Sequence, residues 1–171
     1  TWGLLGCGAT GLATATLLKG FGTKVLGYDP FVKSDDPRLV ERNITLSTFD
    51  DVLKNSDVVS IHMPSTPETN GSINSASLAM MKKGSFLINV GRGEVINESD
   101  LINALKNGPL AAAGLDVRAQ EPPVVGELEK LPNLILTPHV AGITAESQLR
   151  INQILVSNIE LVLSGKAATH A

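Results

Sequence analysis

An excess of basic residues is the first thing missing. Lysine and arginine number 14 against 17 aspartates and glutamates, a formal net charge of −3. No cationic footprint is therefore available to draw the chain onto nucleic acid or anionic lipid. Cysteine is almost absent too. Cys7 stands alone, which excludes an internal disulfide framework and fits a reducing compartment, the cytoplasm by default. No run approaches the roughly 18 apolar residues that span a bilayer, and the opening Thr1-Trp2-Gly3-Leu4-Leu5 has no basic segment of the export type. The chain also lacks an initiator methionine and meets a glycine-rich motif almost at once, so it is expected to be a fragment. What is present is 171 residues, 43% hydrophobic and 18% charged, the composition of one globular domain with a sizeable core.

Apolar runs and breakers alternate along that length. Residues 2–5 lead into Gly6-Cys7-Gly8-Ala9-Thr10-Gly11, and Leu12, Ala15, Leu17 and Leu18 follow at roughly helical spacing. The reading is strand, tight loop, helix. Residues 24–28 form a second strand of the type buried on both faces, ended by Asp29-Pro30. A poor third strand at 44–46 precedes Ser47, Thr48 and Asp50, each able to cap a helix through Val52 and Leu53. Residues 58–63 read as a strand stopped by Pro64, 75–81 as a short helix, and 85–90 as a strand ended by Gly91-Arg92-Gly93. Ser99, Leu101, Ile102 and Leu105 mark a helix closed by Gly108-Pro109; strands at 111–117 and 134–137 and an amphipathic helix at 145–163 complete the chain. This alternation predicts an α/β fold, a Rossmann-type doubly wound parallel sheet with helices on both faces. In such sheets ligands bind beyond the carboxyl ends of the strands, near the switch point.

Gly6-x-Gly8-x-x-Gly11 lies between a strand and a helix, where a dinucleotide fingerprint belongs: one glycine for the turn, one for backbone approach to pyrophosphate, one for helix packing. Asp29, 18 residues past Gly11 at the end of the second strand, can accept both ribose hydroxyls and repel a 2′-phosphate, which favours NAD over NADP. The competing reading is a glycine turn made only for packing. Cys7, between the glycines, is expected to fill space.

Further polar residues follow later strands. Arg92, flanked by glycines, is expected to keep its fork unobstructed for a carboxylate, although a structural arginine reads the same way. Glu121 stands before Pro122-Pro123 and His139 after Pro138. Each alone is ambiguous, but a carboxylate beside an imidazole fixes its tautomer and favours its charged form, which makes a proton donor for a carbonyl. Asp116 can meet a nicotinamide carboxamide or cap the following turn. His62 reads as a structural histidine inside its strand, and His170 as a solvated tail residue.

With these residues in hand, the chain resembles the D-isomer-specific 2-hydroxyacid dehydrogenases, the family of phosphoglycerate dehydrogenase and glyoxylate/hydroxypyruvate reductase. Four ordered motifs carry the resemblance: the glycine loop with Tyr28-Asp29-Pro30, Met81 to Gly93, Gly114-Leu115-Asp116-Val117 through Glu121-Pro122-Pro123, and Leu131-Pro132-Asn133 through Pro138-His139-Val140-Ala141-Gly142. It implies NAD as cofactor, with Gly6, Gly8, Ala9, Thr10 and Gly11 at the pyrophosphate, Asp29 on the ribose, Met63, Val90 and Gly142 lining the site, and Asp116 at the nicotinamide. It further implies Arg92 on the substrate carboxylate, His139 as acid/base and Glu121 orienting it, with a small 2-oxo or 2-hydroxy acid as partner, no metal, and a homodimer.

Two departures stand out. Family members often carry an arginine where this chain has Ala9, so weaker cofactor binding is expected at most. The family's discontinuous substrate domain is absent from residues 1–171, so the isolated domain is expected to turn over little. A dinucleotide-sensing, protein-binding module resembling the C-terminal-binding-protein corepressors is the alternative, and the glutamate at 121 counts against formate dehydrogenase.

Overall fold

The computed structural model describes residues 1–169 and places them in two compact units, Thr1–Pro138 and a second that begins at His139. His170 lies outside the described residues.

The first unit holds seven strands: β1 (Trp2–Leu5), β2 (Val25–Tyr28), β3 (Ile44–Leu46), β4 (Val58–Ile61), β5 (Ser85–Asn89), β6 (Leu110–Leu115) and β7 (Leu134–Leu136). They form one sheet in the order β3-β2-β1-β4-β5-β6-β7, every pair parallel. The order reverses between β1 and β4, which is the switch point expected of a doubly wound sheet.

Side chains alternate across the pleat, and both faces build a core. On one face α1 (Ala9–Leu18) and α2 (Pro37–Glu41) pack Leu12, Ala15, Leu18 and Leu39 onto Leu4, Val25 and Ile44. On the other, α3 (Phe49–Asn55), α4 (Ser75–Ala79), α5 (Glu98–Lys106) and the 3-10 turn Leu128–Lys130 cover Leu5, Val59, Ile61, Leu87 and Leu115. Burying each such leucine or isoleucine contributes on the order of 2 kcal/mol.

Several boundaries differ from the sequence reading. His62 lies just past β4 rather than inside it, although its N–H still bonds the Leu5 carbonyl of β1 at 2.7 Å. Val90, Asp116 and Val117 fall beyond their strands, and the fourth helix ends at Ala79. Helix α2 was not expected; it is five residues long, with Asp36 accepting the Arg38 N–H at its cap and Pro37 in its first turn. Of the three candidates before α3, Thr48 is the cap.

The second unit is built on α6 (Ala145–Leu163), opened by a reciprocal capping box between Thr144 and Ser147. No residue of α6 is buried. No helix among the described residues is long and apolar enough to cross a membrane.

Candidate active site

The glycine loop is shaped for an anion. Gly6 has φ +101, and a Cβ there would come within 2.9 Å of the His62 backbone. At Gly11 a Cβ would strike the Gly6 carbonyl at 2.2 Å, so only glycine lets α1 start this close to β1. Gly8 is the opposite case: a Cβ there would meet nothing within 4 Å, and no side chain caps the helix that Gly8 opens. The first N–H groups of α1, at exposed Ala9 and Thr10, therefore point outward with the positive end of the helix dipole. A helix end of this kind can take a phosphate without further side chains.

Asp29 is locked onto this loop. Its Oδ2 accepts the Cys7 N–H at 2.9 Å and its Oδ1 the Phe31 N–H at 3.0 Å, which fixes the carboxylate at the end of β2 with lone pairs left for ribose hydroxyls. Cys7 is 1% exposed. Burial, and then the charge of Asp29, push its thiol up to about 12, so it is a space-filling thiol as expected. The glycine turn, the uncapped helix and the oriented acid together fit a dinucleotide.

The segment after β4 separates two loops. His62 and Met63 back onto Gly6 on one side, and on the other a Cβ at Gly91 would come within 2.8 Å of the Met63 carbonyl. The Arg92 turn and the glycine loop thus pack against the same two residues from opposite sides. The Met63 side chain is 6% exposed in the main core and Val90 is 37% exposed at the surface. His62 is structural: Ser60 Oγ lies 3.0 Å from its Nε2, its Nδ1 is buried without a partner, and burial lowers its pKa to about 4.

Asn89, fully buried, organises the turn after β5. Its Nδ2 donates to the Arg92 carbonyl at 2.9 Å, its Oδ1 accepts the Gly91 N–H at 3.0 Å, and its own carbonyl accepts the Asp116 N–H at 2.9 Å. The glycines beside Arg92 have a packing role that the sequence did not show. They permit close backbone packing, since a Cβ at Gly93 would lie 1.9 Å from the Arg118 carbonyl carbon. One arm of the fork folds back, Nη1 donating to the Gly91 carbonyl at 2.8 Å, while Arg92 itself stays exposed. Asp116, 6% exposed, accepts the Thr137 hydroxyl at 2.6 Å, tying the ends of β6 and β7 together.

Glu121 sits in an exposed turn after β6, its Oε1 accepting the Arg118 N–H at 2.9 Å. His139 and Gly142 belong to the second unit, where His139 holds φ 55 and the Gly142 carbonyl accepts the Ser147 hydroxyl at 2.6 Å. Within the first unit, then, the structure brings together the glycine loop, Asp29, Arg92 and Asp116. Sequence reasoning missed Asn89, Arg118, Glu98 and Glu129. The Asn89 signal was local, a polar residue closing an apolar strand, whereas the others meet across 11 to 20 residues.

Residues 1–141 match the model of the D-isomer specific 2-hydroxyacid dehydrogenase NAD binding domain. The chain belongs to that family. Its 97% coverage by glyoxylate reductase of Thermofilum pendens is at 42% identity and takes in 49% of that protein. With D-3-phosphoglycerate dehydrogenase of Mycobacterium leprae the identity is 38%, over 97% of this chain and 31% of the relative. The D-lactate dehydrogenase of Lactobacillus jensenii, solved with NAD+, superposes with TM-score 0.89 at 35% identity, covering 98% of this chain and 54% of that one. The chain thus spans a third to a half of the length of these dehydrogenases.

Proposed function

We propose that the protein interconverts a 2-oxo acid and a D-2-hydroxy acid with NAD. The observation that supports this best is the adjacency of two loops: the anion-shaped glycine loop and the Arg92 turn pack on either side of His62 and Met63. A dinucleotide and a carboxylate would therefore be held side by side. Gly8, Ala9 and Thr10 hold the pyrophosphate through backbone N–H groups, Asp29 the ribose, and Asp116 the nicotinamide carboxamide. Bound NADH supplies the hydride that reduces the 2-carbon.

The chain's own residues do the rest. Arg92 grips the substrate carboxylate and fixes the carbonyl for attack. His139 gives its Nε2 or Nδ1 proton to the carbonyl oxygen on reduction and takes it back on oxidation. Glu121 is the carboxylate that orients this acid/base in the same reading. A cytoplasmic homodimer belongs to the same proposal, as does low turnover by residues 1–171 alone, where water is less well excluded.

The test is loss of NADH absorbance with a panel of 2-oxo acids in the intact protein, beside His139→Ala and an NADPH control. Turnover confined to NADH and reduced at least about a hundredfold in the variant supports the reading. NADH binding without turnover on any oxo acid replaces it with the sensing module.

A further inference from the structure

The turn after β6 is held by an ion-pair hub. The Arg118 guanidinium donates from Nε and Nη2 to the two oxygens of Glu98 at 2.9 and 3.2 Å, and from Nη1 to Glu129 at 2.5 Å. Its side chain is only 11% exposed. Glu98 Oε1 also accepts the Ala119 N–H at 3.0 Å, and Glu121 Oε1 accepts the N–H of Arg118 itself. On the other side, the Arg118 carbonyl occupies the space where Gly93, next to Arg92, lacks a side chain. Burial raises the Glu98 pKa, but the bonds from Arg118 and Ala119 outweigh it and hold that carboxyl below the usual range. Glu129 is pulled down to about 2, first by the Arg118 hydrogen bond.

We infer that Arg118 is a positioning residue: by clamping Glu98 at the start of α5 and Glu129 in the 3-10 turn, it fixes the turn carrying Glu121 against the segment carrying Arg92. The inference rests on the dehydrogenase reading of Arg92 and Glu121, and it concerns a side chain that touches neither substrate nor cofactor. The planar fork is what the geometry needs. One guanidinium meets both oxygens of Glu98 and still reaches Glu129, which a lysine ammonium, a single point of charge, does not reproduce.

The consequence is kinetic as well as structural, because a displacement of about 1 Å in a positioning shell can cost up to roughly a hundredfold in rate. In the intact protein, Arg118→Gln is expected to lower kcat per NADH-binding site roughly tenfold and to raise KM for the oxo acid. The NADH dissociation constant stays where it was. Amide hydrogen exchange at positions 118 and 119, whose N–H groups bond Glu121 and Glu98, becomes at least about tenfold faster. Arg118→Lys recovers part of each change. Glu129→Gln takes the charge from one arm near the surface and gives a smaller shift in the same direction, which keeps the test open if Arg118→Gln folds poorly. A merely structural arginine would change the number of NADH-binding sites and leave KM per site alone. Unchanged exchange at 118 and 119 overturns the inference even if no oxo acid is reduced. Faster exchange with unmoved kinetics in an active protein overturns it as well. A wild-type protein that binds NADH and reduces nothing removes the dehydrogenase reading itself, and the positioning role with it.

Discussion

Asp29 shows how much one side chain can settle. Its two bonds to the Cys7 and Phe31 N–H groups orient the carboxylate before any ligand arrives, so its contribution to binding is preorganised. Asp29→Ala is expected to weaken NADH binding about 10- to 100-fold, the scale of one or two charge-assisted hydrogen bonds. Discrimination against NADPH should shrink at the same time. Fluorescence titration with both nucleotides checks this, and equal losses for the two would remove Asp29 as the selector. His62 works through protonation instead. Its pKa falls from the usual 6.5 to about 4 on burial, so between those values the unfolded chain binds more proton than the folded one. Stability from this group is then fully present above pH 6.5 and is lost as pH falls toward 4, by about 3 kcal/mol in all. Urea unfolding of wild type and His62→Gln across that window is expected to show a steeper acid loss in the wild type; parallel curves would sink the assignment. The glycines and Asp29 were legible in the sequence because their work is local or lies at a fixed offset from a strand. The packing role of Gly91 and Gly93 was not, since the backbones they admit come from Met63 and Arg118.

At the scale of elements, what was legible depended on how far the cause lay from the effect. Strands β1, β2, β4, β5 and β6 were found from apolar runs that tertiary contacts merely confirmed. The carboxyl ends of β4, β5 and β6 were overrun by one or two residues, because Met63, Val90 and Val117 continue the hydrophobic pattern after the strand has stopped. Helix α2 offered its own signal, an Asx cap followed by proline, but too few apolar residues to register as periodic. The turn after β5 is where element and function meet. Asn89 supplies both side-chain bonds that shape it, from a fully buried position. Asn89→Ala is expected to cost about 2 kcal/mol, one net hydrogen bond or somewhat more for each partner left unsatisfied in the interior. Because the same turn aims Arg92, KM for the oxo acid should rise more than the NADH dissociation constant. Thermal unfolding together with steady-state kinetics separates the two effects; a loss of stability with KM unmoved would mean that the turn keeps its aim without Asn89.

For the first unit taken whole, the two faces of the sheet are covered unequally. α3, α4, α5 and the 3-10 turn Leu128–Lys130 close one face, whereas α1 and α2 pack on the other only around β1, β2 and β3. Over β4 to β7 that second face presents, in register, Val58 beside Phe86, Phe86 beside Ala112, and Gly114 beside Ile135. Phe86 is 45% and Ile135 71% exposed. A contiguous apolar strip on a sheet is an association site in water, and buried-on-both-faces strands are the rule for parallel sheets. Residues 1–171 prepared alone are therefore expected to bind an apolar dye such as ANS and to self-associate as concentration rises. Replacing both side chains, Phe86→Ser with Ile135→Thr, should reduce the dye signal and the association together while leaving far-UV circular dichroism unchanged. Sedimentation velocity over a concentration series reads the result. A chain that stays monomeric and dark to the dye would mean that this face is covered in solution, against the exposure of Phe86 and Ile135 on which the prediction rests.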